Sequence, residues 1–214
     1  MSNKEKTTTQ QSDWRDGFLF LGNHLALDFV NTRPIPDDQP VELLPDFSAL
    51  LRWFQAAGLL GHSDAANLQQ RWEESCQARQ TLDGVRELRE TLRKEILSWE
   101  HGGGVHQATV KELNRLMADH PMRRRLKAGG KGLETESYFA PEQPAHLFAP
   151  LAHSAASLFA DVDSQRVRKC DVCILHFYDT SKKGTRRWCS MQLCGNRQKV
   201  AAYAARQRLK NQRD

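Results

Sequence analysis

A chain of 214 residues is long enough to bury a sizeable core and fits one domain of moderate size plus a small appendage. The formal charge of +5 is unevenly divided: residues 165–214 carry 13 Lys and Arg against 3 Asp and Glu, and residues 1–164 carry 18 against 23. The longest apolar runs, at 18–21 and 25–30, fall far short of the roughly 18 to 20 residues of a membrane span, and the polar start MSNKEKTTTQQSD lacks the apolar stretch of a secretory signal, so a cytoplasmic protein that enters no membrane is expected.

Residues 1–12, rich in Thr, Gln and Lys, read as a disordered tail. Residues 13–163 then read as a helical domain. A short helix over 25–32 is expected, capped by Asn23, and the Pro-rich stretch 34–45 reads as a loop. Phe47, Leu50, Leu51 and Phe54 have helical spacing up to Gly58, and Ser63 is a candidate cap for a helix running to about Arg79. Leu82, Val85, Leu88, Leu92, Ile96 and Trp99 mark a long amphipathic helix that the glycines at 102–104 stop. A further helix is expected around Val110 to Met117. Residues 122–139 predict a small β-hairpin turning at 129–132, and helix resumes near His146 with Pro150 as an interruption.

The charge shift at 164–169 marks the start of a second module, residues 164–214. Four of the five cysteines lie there as C-x2-C (Cys170, Cys173) and, after fifteen residues, C-x4-C (Cys189, Cys194). In a reducing compartment clustered cysteines are metal ligands more often than disulfides, and two short-spaced pairs suit tetrahedral Zn²⁺. His176 is a lesser candidate ligand, and Cys76 reads as a partly buried thiol without a role. The intervening ILHFYDTSKKGTRRW predicts a hairpin with a Ser-Lys-Lys-Gly turn, and a helix should follow Gly195. The fold class is therefore mainly α: a helical N-terminal domain with a small β-hairpin, followed by a treble-clef-like four-cysteine zinc finger holding one structural zinc.

Function candidates follow from charge and from polar clusters. Lys182, Lys183, Arg186 and Arg187 crowd the expected hairpin, and Arg197, Lys199, Arg206, Arg208, Lys210 and Arg213 stud the helix with almost no acidic residues between them. Lys182, Lys183, Arg186, Arg187, Arg197, Lys199 and Arg206 are the candidate nucleic-acid contacts. The alternative is that zinc only staples an appendage that docks a protein partner. In the N-terminal domain, His24, Asp28, Asn31 and Thr32 share a polar stripe, and with Arg89 form a candidate effector pocket or a set of helix bridges. No catalytic residues are assigned: phosphate-loop, dinucleotide, nucleophile-elbow and H-E-x-x-H motifs are missing, which leaves an enzyme built on His24 and Asp28 as the weakest alternative.

The string RRWCSMQLCGNRQKVAAYAAR with its preceding C-x2-C resembles the CGNR zinc-finger family, whose tetrapeptide is Cys194-Gly195-Asn196-Arg197. LALDFVNT at 25–32 and the helical body after it resemble the ABATE domain, a stress-induced transcription regulator domain that precedes this finger in bacterial proteins. The resemblance implies a bacterial regulator with a DNA-binding tail, controlled by a small effector or by homodimer formation. For the tetrapeptide, Gly195 is expected to permit a sharp turn, Asn196 to cap the helix or meet a sulfur, and Arg197 either to contact phosphate or to brace the finger.

Overall fold

A computed structural model describes residues 13–34, 39–130, 132–173 and 175–211, so the tail read at 1–12, part of the Pro-rich loop, and Arg213 lie outside the described residues. The chain opens with a small antiparallel pair, β1 (Trp14–Arg15) and β2 (Phe18–Leu19), in the register Trp14↔Leu19. Asp16 and Gly17, with φ of 47° and 80°, make the connecting turn, which suits the twist of a two-residue hairpin.

Seven α-helices follow among the described residues: α1 (Leu25–Val30), α2 (Phe47–Ala56), α3 (His62–Trp72), α4 (Cys76–Glu100), α5 (Gln107–Asp119), α6 (Phe148–Asp161) and α7 (Asn196–Asn211). The cap of α1 is His24, one residue after the expected Asn23. Its Nδ1 accepts from Ala26 N–H, while Asn23 takes a left-handed φ of 54°. The helix expected from Ser63 to about Arg79 is instead two. The first begins at His62 behind Gly61 and ends at Trp72, and Ser75 restarts the chain by accepting from Ala78 N–H. Cys76 is consequently the first residue of α4 and is exposed rather than partly buried. Pro150 does not interrupt α6, because it sits in the first turn, where a helix has no internal partner for its N–H groups.

The main core gathers Trp53, Phe54, Phe29, Leu27, Leu50, Leu92 and Ile96, all fully buried. α1 lies inside it. Ala26 to Val30 are buried around the whole helix, which packs on α4 and α6 and, on another side, on the second module. Three arginines of α4, spaced along one face, hold the chain that leaves α1. Arg86 donates to Leu44 O, Arg89 to Thr32 Oγ1 and both Glu42 carboxylate oxygens, and Arg93 to Val30 O and Arg33 O.

The expected hairpin forms as β3 (Arg123–Gly129) and β4 (Gly132–Tyr138), paired in the register Arg123↔Tyr138. One face carries the Arg125–Glu136–Lys127 ion pairs; the other is largely uncharged and exposes Leu126 and Leu133.

In the second module β5 (Val167–Lys169) pairs with β6 (His176–Tyr178), and the first cysteine pair occupies their connection. The hairpin expected between the cysteine pairs is absent: β6 pairs backward to β5, and 179–188 contains no strand. The buried carboxylate of Asp179 organises that segment by accepting from the N–H groups of Ser181 and Arg186, and Gly184 N–H donates to Ser181 O to close the anticipated turn. A π-helical turn, Met191–Gly195, leads into α7. The architecture is thus mainly helical, ending in a knuckle, loop and helix of treble-clef type.

Candidate metal centre and basic helix

The Sγ atoms of Cys170, Cys173, Cys189 and Cys194 all lie within 4.8 Å of one another. The separations of 3.4 Å for Cys173–Cys189 and 3.7 Å for Cys189–Cys194 are far too long for a disulfide. They are close to the edge of a tetrahedron with about 2.3 Å metal–sulfur bonds, roughly 3.8 Å.

The β5–β6 connection, which holds Cys170 and Cys173, the loop after β6 and the π-helical turn deliver these ligands. Cys170 follows β5 and its N–H donates to Leu175 O, Cys189 follows Trp188, and Cys194 sits in the π-helical turn that Ser190 caps by accepting from Leu193 N–H. Four thiols packed this closely resist ionising together. Hydrogen bonding with Cys170 pushes Cys173 up to about 12 and Cys189 upward as well, and burial raises Cys194. Cys170 alone is held low, by hydrogen bonds from Cys173 and Cys189. A divalent cation supplies the charge such a cluster needs, and the four cysteines form a zinc site. His176 is not a ligand: its Nε2 faces Glu100 Oε1 at 3.4 Å.

Little apolar material lies beneath the metal. Leu175 and Phe177 are joined there by Leu21, which arrives from the N-terminal segment, with Trp188 and Leu193 at the margin. At Gly195 a Cβ would lie 2.8 Å from Sδ of the exposed, flexible Met191 and 3.4 Å from the Trp188 ring, and its φ is not among the positive ones, so the sharp turn expected of this glycine is not seen.

The second module is seated on α1. The Asn31 amide clasps the backbone of His176, donating from Nδ2 to its carbonyl at 2.8 Å and accepting its N–H at Oδ1 at 2.9 Å, both buried. Tyr178 N–H donates to Gly22 O, Asn23 Nδ2 donates to Tyr178 O, and Ser190 Oγ donates to Asp13 Oδ2.

The residues read as an effector pocket are therefore dispersed among separate partners. His24 caps α1, Asn31 holds the finger, and Arg89 binds Glu42 and Thr32 with no hydrogen bond to Asp28 or Asn31. Asp28 Oδ1 accepts Gly22 N–H at 2.7 Å, and a Cβ on Gly22 would lie 2.8 Å from Asp28 N. Burial pushes the Asp28 carboxyl up to about 7, against the opposing pull of the Gly22 hydrogen bond and Arg15. A carboxyl raised on folding contributes stability that is complete below its unfolded value near 3.8 and is lost as pH rises through about 7. Asp28→Asn is accordingly expected to raise the melting temperature at about pH 8 and to leave it nearly unchanged at about pH 3.5. A destabilised variant at the higher pH would show that the charge itself is needed.

The basic residues divide into two groups. Arg186 donates to Cys189 O and lies over the Phe177 ring, and Arg187 pairs with Asp171 at 2.7 Å, so both brace the finger. Lys182 and Lys183 are exposed on the turn. On α7 every side chain from Asn196 to Arg208 is exposed. Among the described residues no ion pair or side-chain hydrogen bond engages Arg197, Lys199, Arg206 or Arg208. Asn196 is the first residue of this helix and also closes the π-helical turn before it, whose own N-cap is Ser190.

Sequence reasoning missed Asp179 and the clasp partners. An Asp-x-Ser following a strand signals a side-chain-organised turn, whereas nothing local marks which backbone Asn31 would meet.

Residues 23–162 match the family described as "ABATE: Putative stress-induced transcription regulator", and residues 166–207 match the CGNR zinc finger. No curated protein matches the chain. Among the described residues no helix is long and apolar enough to cross a membrane. With a helical body over most of its length and a four-cysteine metal centre followed by a basic helix, the chain belongs to the ABATE family and carries a CGNR zinc finger.

Proposed function

We propose that the protein is a cytoplasmic transcription regulator that binds duplex DNA through its finger, with α7 as the principal contact. The observation that carries this reading is α7 itself: a 16-residue helix, exposed at every described side chain, with four unpaired cations and no acidic residue, projecting from a metal-fastened platform. A helix that no described residue covers gains most from a surface that takes up its charge, and a phosphate backbone does so with release of condensed counterions. Lys182 and Lys183 extend the basic surface onto the turn. Four thiolates fill the zinc coordination sphere, so no reaction is proposed there.

The helical domain is the regulatory part. Its α1 touches both the main core and the finger, so an effector or a second chain that shifts α1 would be felt at Asn31 and His176. The face of the β3–β4 hairpin that exposes Leu126 and Leu133, 66% and 76% exposed, and carries Arg124 as its one charge, offers a surface for self-association.

Titration of duplex binding against salt tests the DNA reading. The intact protein is expected to lose affinity steeply with salt. Arg197→Ala with Arg206→Ala should weaken binding and flatten the slope of log K against log salt by about 2. A slope near zero for the intact protein, or no binding at low salt, would overturn the proposal, and equal affinity for RNA would reassign the partner.

A further inference from the structure

We propose that α7 reads base pairs in the major groove through one stripe, Asn196, Val200, Tyr203 and Gln207, and that the stripe selects duplex DNA containing A·T pairs. The inference rests on the DNA-binding reading above and adds the residues that would give it sequence preference.

The stripe follows from helical geometry. Residues spaced i, i+4, i+7 and i+11 at about 100° each fall within a sector of roughly 60°. Such a row normally marks the face that a helix buries. Here all four side chains are exposed, Val200 at 68% and Tyr203 at 59%. The cations lie in two lines beside it. Arg197 and Arg208 run along one flank, Lys199 and Arg206 along the other, and each line is about a quarter turn from the stripe. The remaining side carries Gln198, Ala201, Ala202 and Ala205, three of which end at a methyl group.

A helix about 10 to 12 Å across fills a major groove of similar width, and its two flanks then face the two phosphate walls. Cations on both flanks meet both walls, and the row between them points at the floor. Its chemistry matches A·T edges: a carboxamide pairs with adenine N7 and N6, and the Val200 isopropyl group suits a thymine methyl. From Asn196 to Gln207 the axis rises about 16 Å, enough to pass roughly five base pairs.

A second copy of α7 is the competing occupant of an i, i+4, i+7 row. The flanks argue against it, since positions beside a helix–helix seam set partner choice by charge, and here both flanks are positive with no acid to answer them.

The test uses the full-length, zinc-loaded protein to select duplexes from a randomised pool. The expected result is an enriched core of about five base pairs containing A·T pairs. The variant Val200→Ala, Tyr203→Ala, Gln207→Ala should keep one zinc per chain and its helical circular dichroism, and should lose at least tenfold of the ratio between selected and scrambled duplex affinities. The Arg197→Ala, Arg206→Ala variant should weaken both duplexes by a similar factor. A triple variant that keeps the ratio, or that loses both duplexes equally, overturns the stripe as reader. Salt-dependent binding without any enriched sequence overturns it too, while leaving the DNA-binding reading intact. Absence of binding to every duplex overturns both.

Discussion

Cys194→Ser, or removal of the metal by a strong chelator, is expected to unfold residues 166–195 and to take zinc content from one per chain to near zero. The apolar layer beneath the metal, Leu175 and Phe177 with Leu21, is far too small to offset the conformational entropy of the segment it orders. In finger peptides, metal binding contributes an apparent value of about 10 to 16 kcal/mol at neutral pH, the scale of the whole stability of an ordinary domain. Losing one of four thiolates removes a ligand that a serine hydroxyl does not replace. The measurement is metal content after gel filtration with a competing chelator, together with the near-ultraviolet signal of Trp188, which packs beside the centre. Retention of the full metal content by Cys194→Ser would exclude Cys194 as a ligand. Cys76→Ser, outside the cluster and exposed, should change neither reading.

The second large effect is expected at Arg89. Its side chain is 1% exposed and is satisfied by Glu42 and Thr32, with Glu90 beside it. Arg89→Ala would leave the half-buried Glu42 carboxylate without its counter-charge and Thr32 Oγ1 without its donor, over a cavity the size of the lost guanidinium. Removing one partner of a buried pair typically costs about 3 to 5 kcal/mol. Replacing both charges, as in Arg89→Met with Glu42→Leu, should cost clearly less than Arg89→Ala, because no charge is then stranded. Denaturant unfolding of the three proteins gives the comparison. A cost below about 1 kcal/mol for Arg89→Ala would mean that the ion pair does not hold the segment leaving α1.

Periodicity carried the long elements. The spacing of Leu82 to Trp99 and of Phe47 to Phe54 placed α4 and α2 because burial of one face leaves a repeat in the sequence. Sulfur spacing alone identified the zinc site, since two short-spaced cysteine pairs close on one metal whatever connects them. Where helices begin was less legible. One helix is expected from Ser63 to about Arg79, whereas the chain breaks after Trp72 and Ser75 caps the next helix. The strand pairing of the finger was misread for a related reason: β6 is a plausible half of either hairpin, and its choice of β5 depends on contacts beyond the local sequence.

The polar residues of α1 were the hardest to interpret. His24, Asp28 and Asn31, with Arg89 of α4, read either as a pocket or as helix bridges because buried polar atoms demand partners, and a sequence does not say whether those partners are a ligand or the protein's own backbone. Here the backbone of Gly22 answers Asp28 and that of His176 answers Asn31. On α7 the charge was legible in sequence, and the structure added that four of its cations have no partner among the described residues.

The clasp of Asn31 on His176, with Leu21 lodged beneath the metal, makes zinc occupancy a property of the whole chain. When the finger melts, the Asn31 amide and one side of α1 lose their cover, and Leu21 loses its neighbours. The helical body then melts at a lower temperature than it does with metal bound. Holoprotein is expected to unfold as one cooperative unit, and apoprotein, whose finger is already unfolded, in a single transition of the helical body at lower temperature, so zinc availability sets the heat tolerance of a domain that holds no zinc ligand.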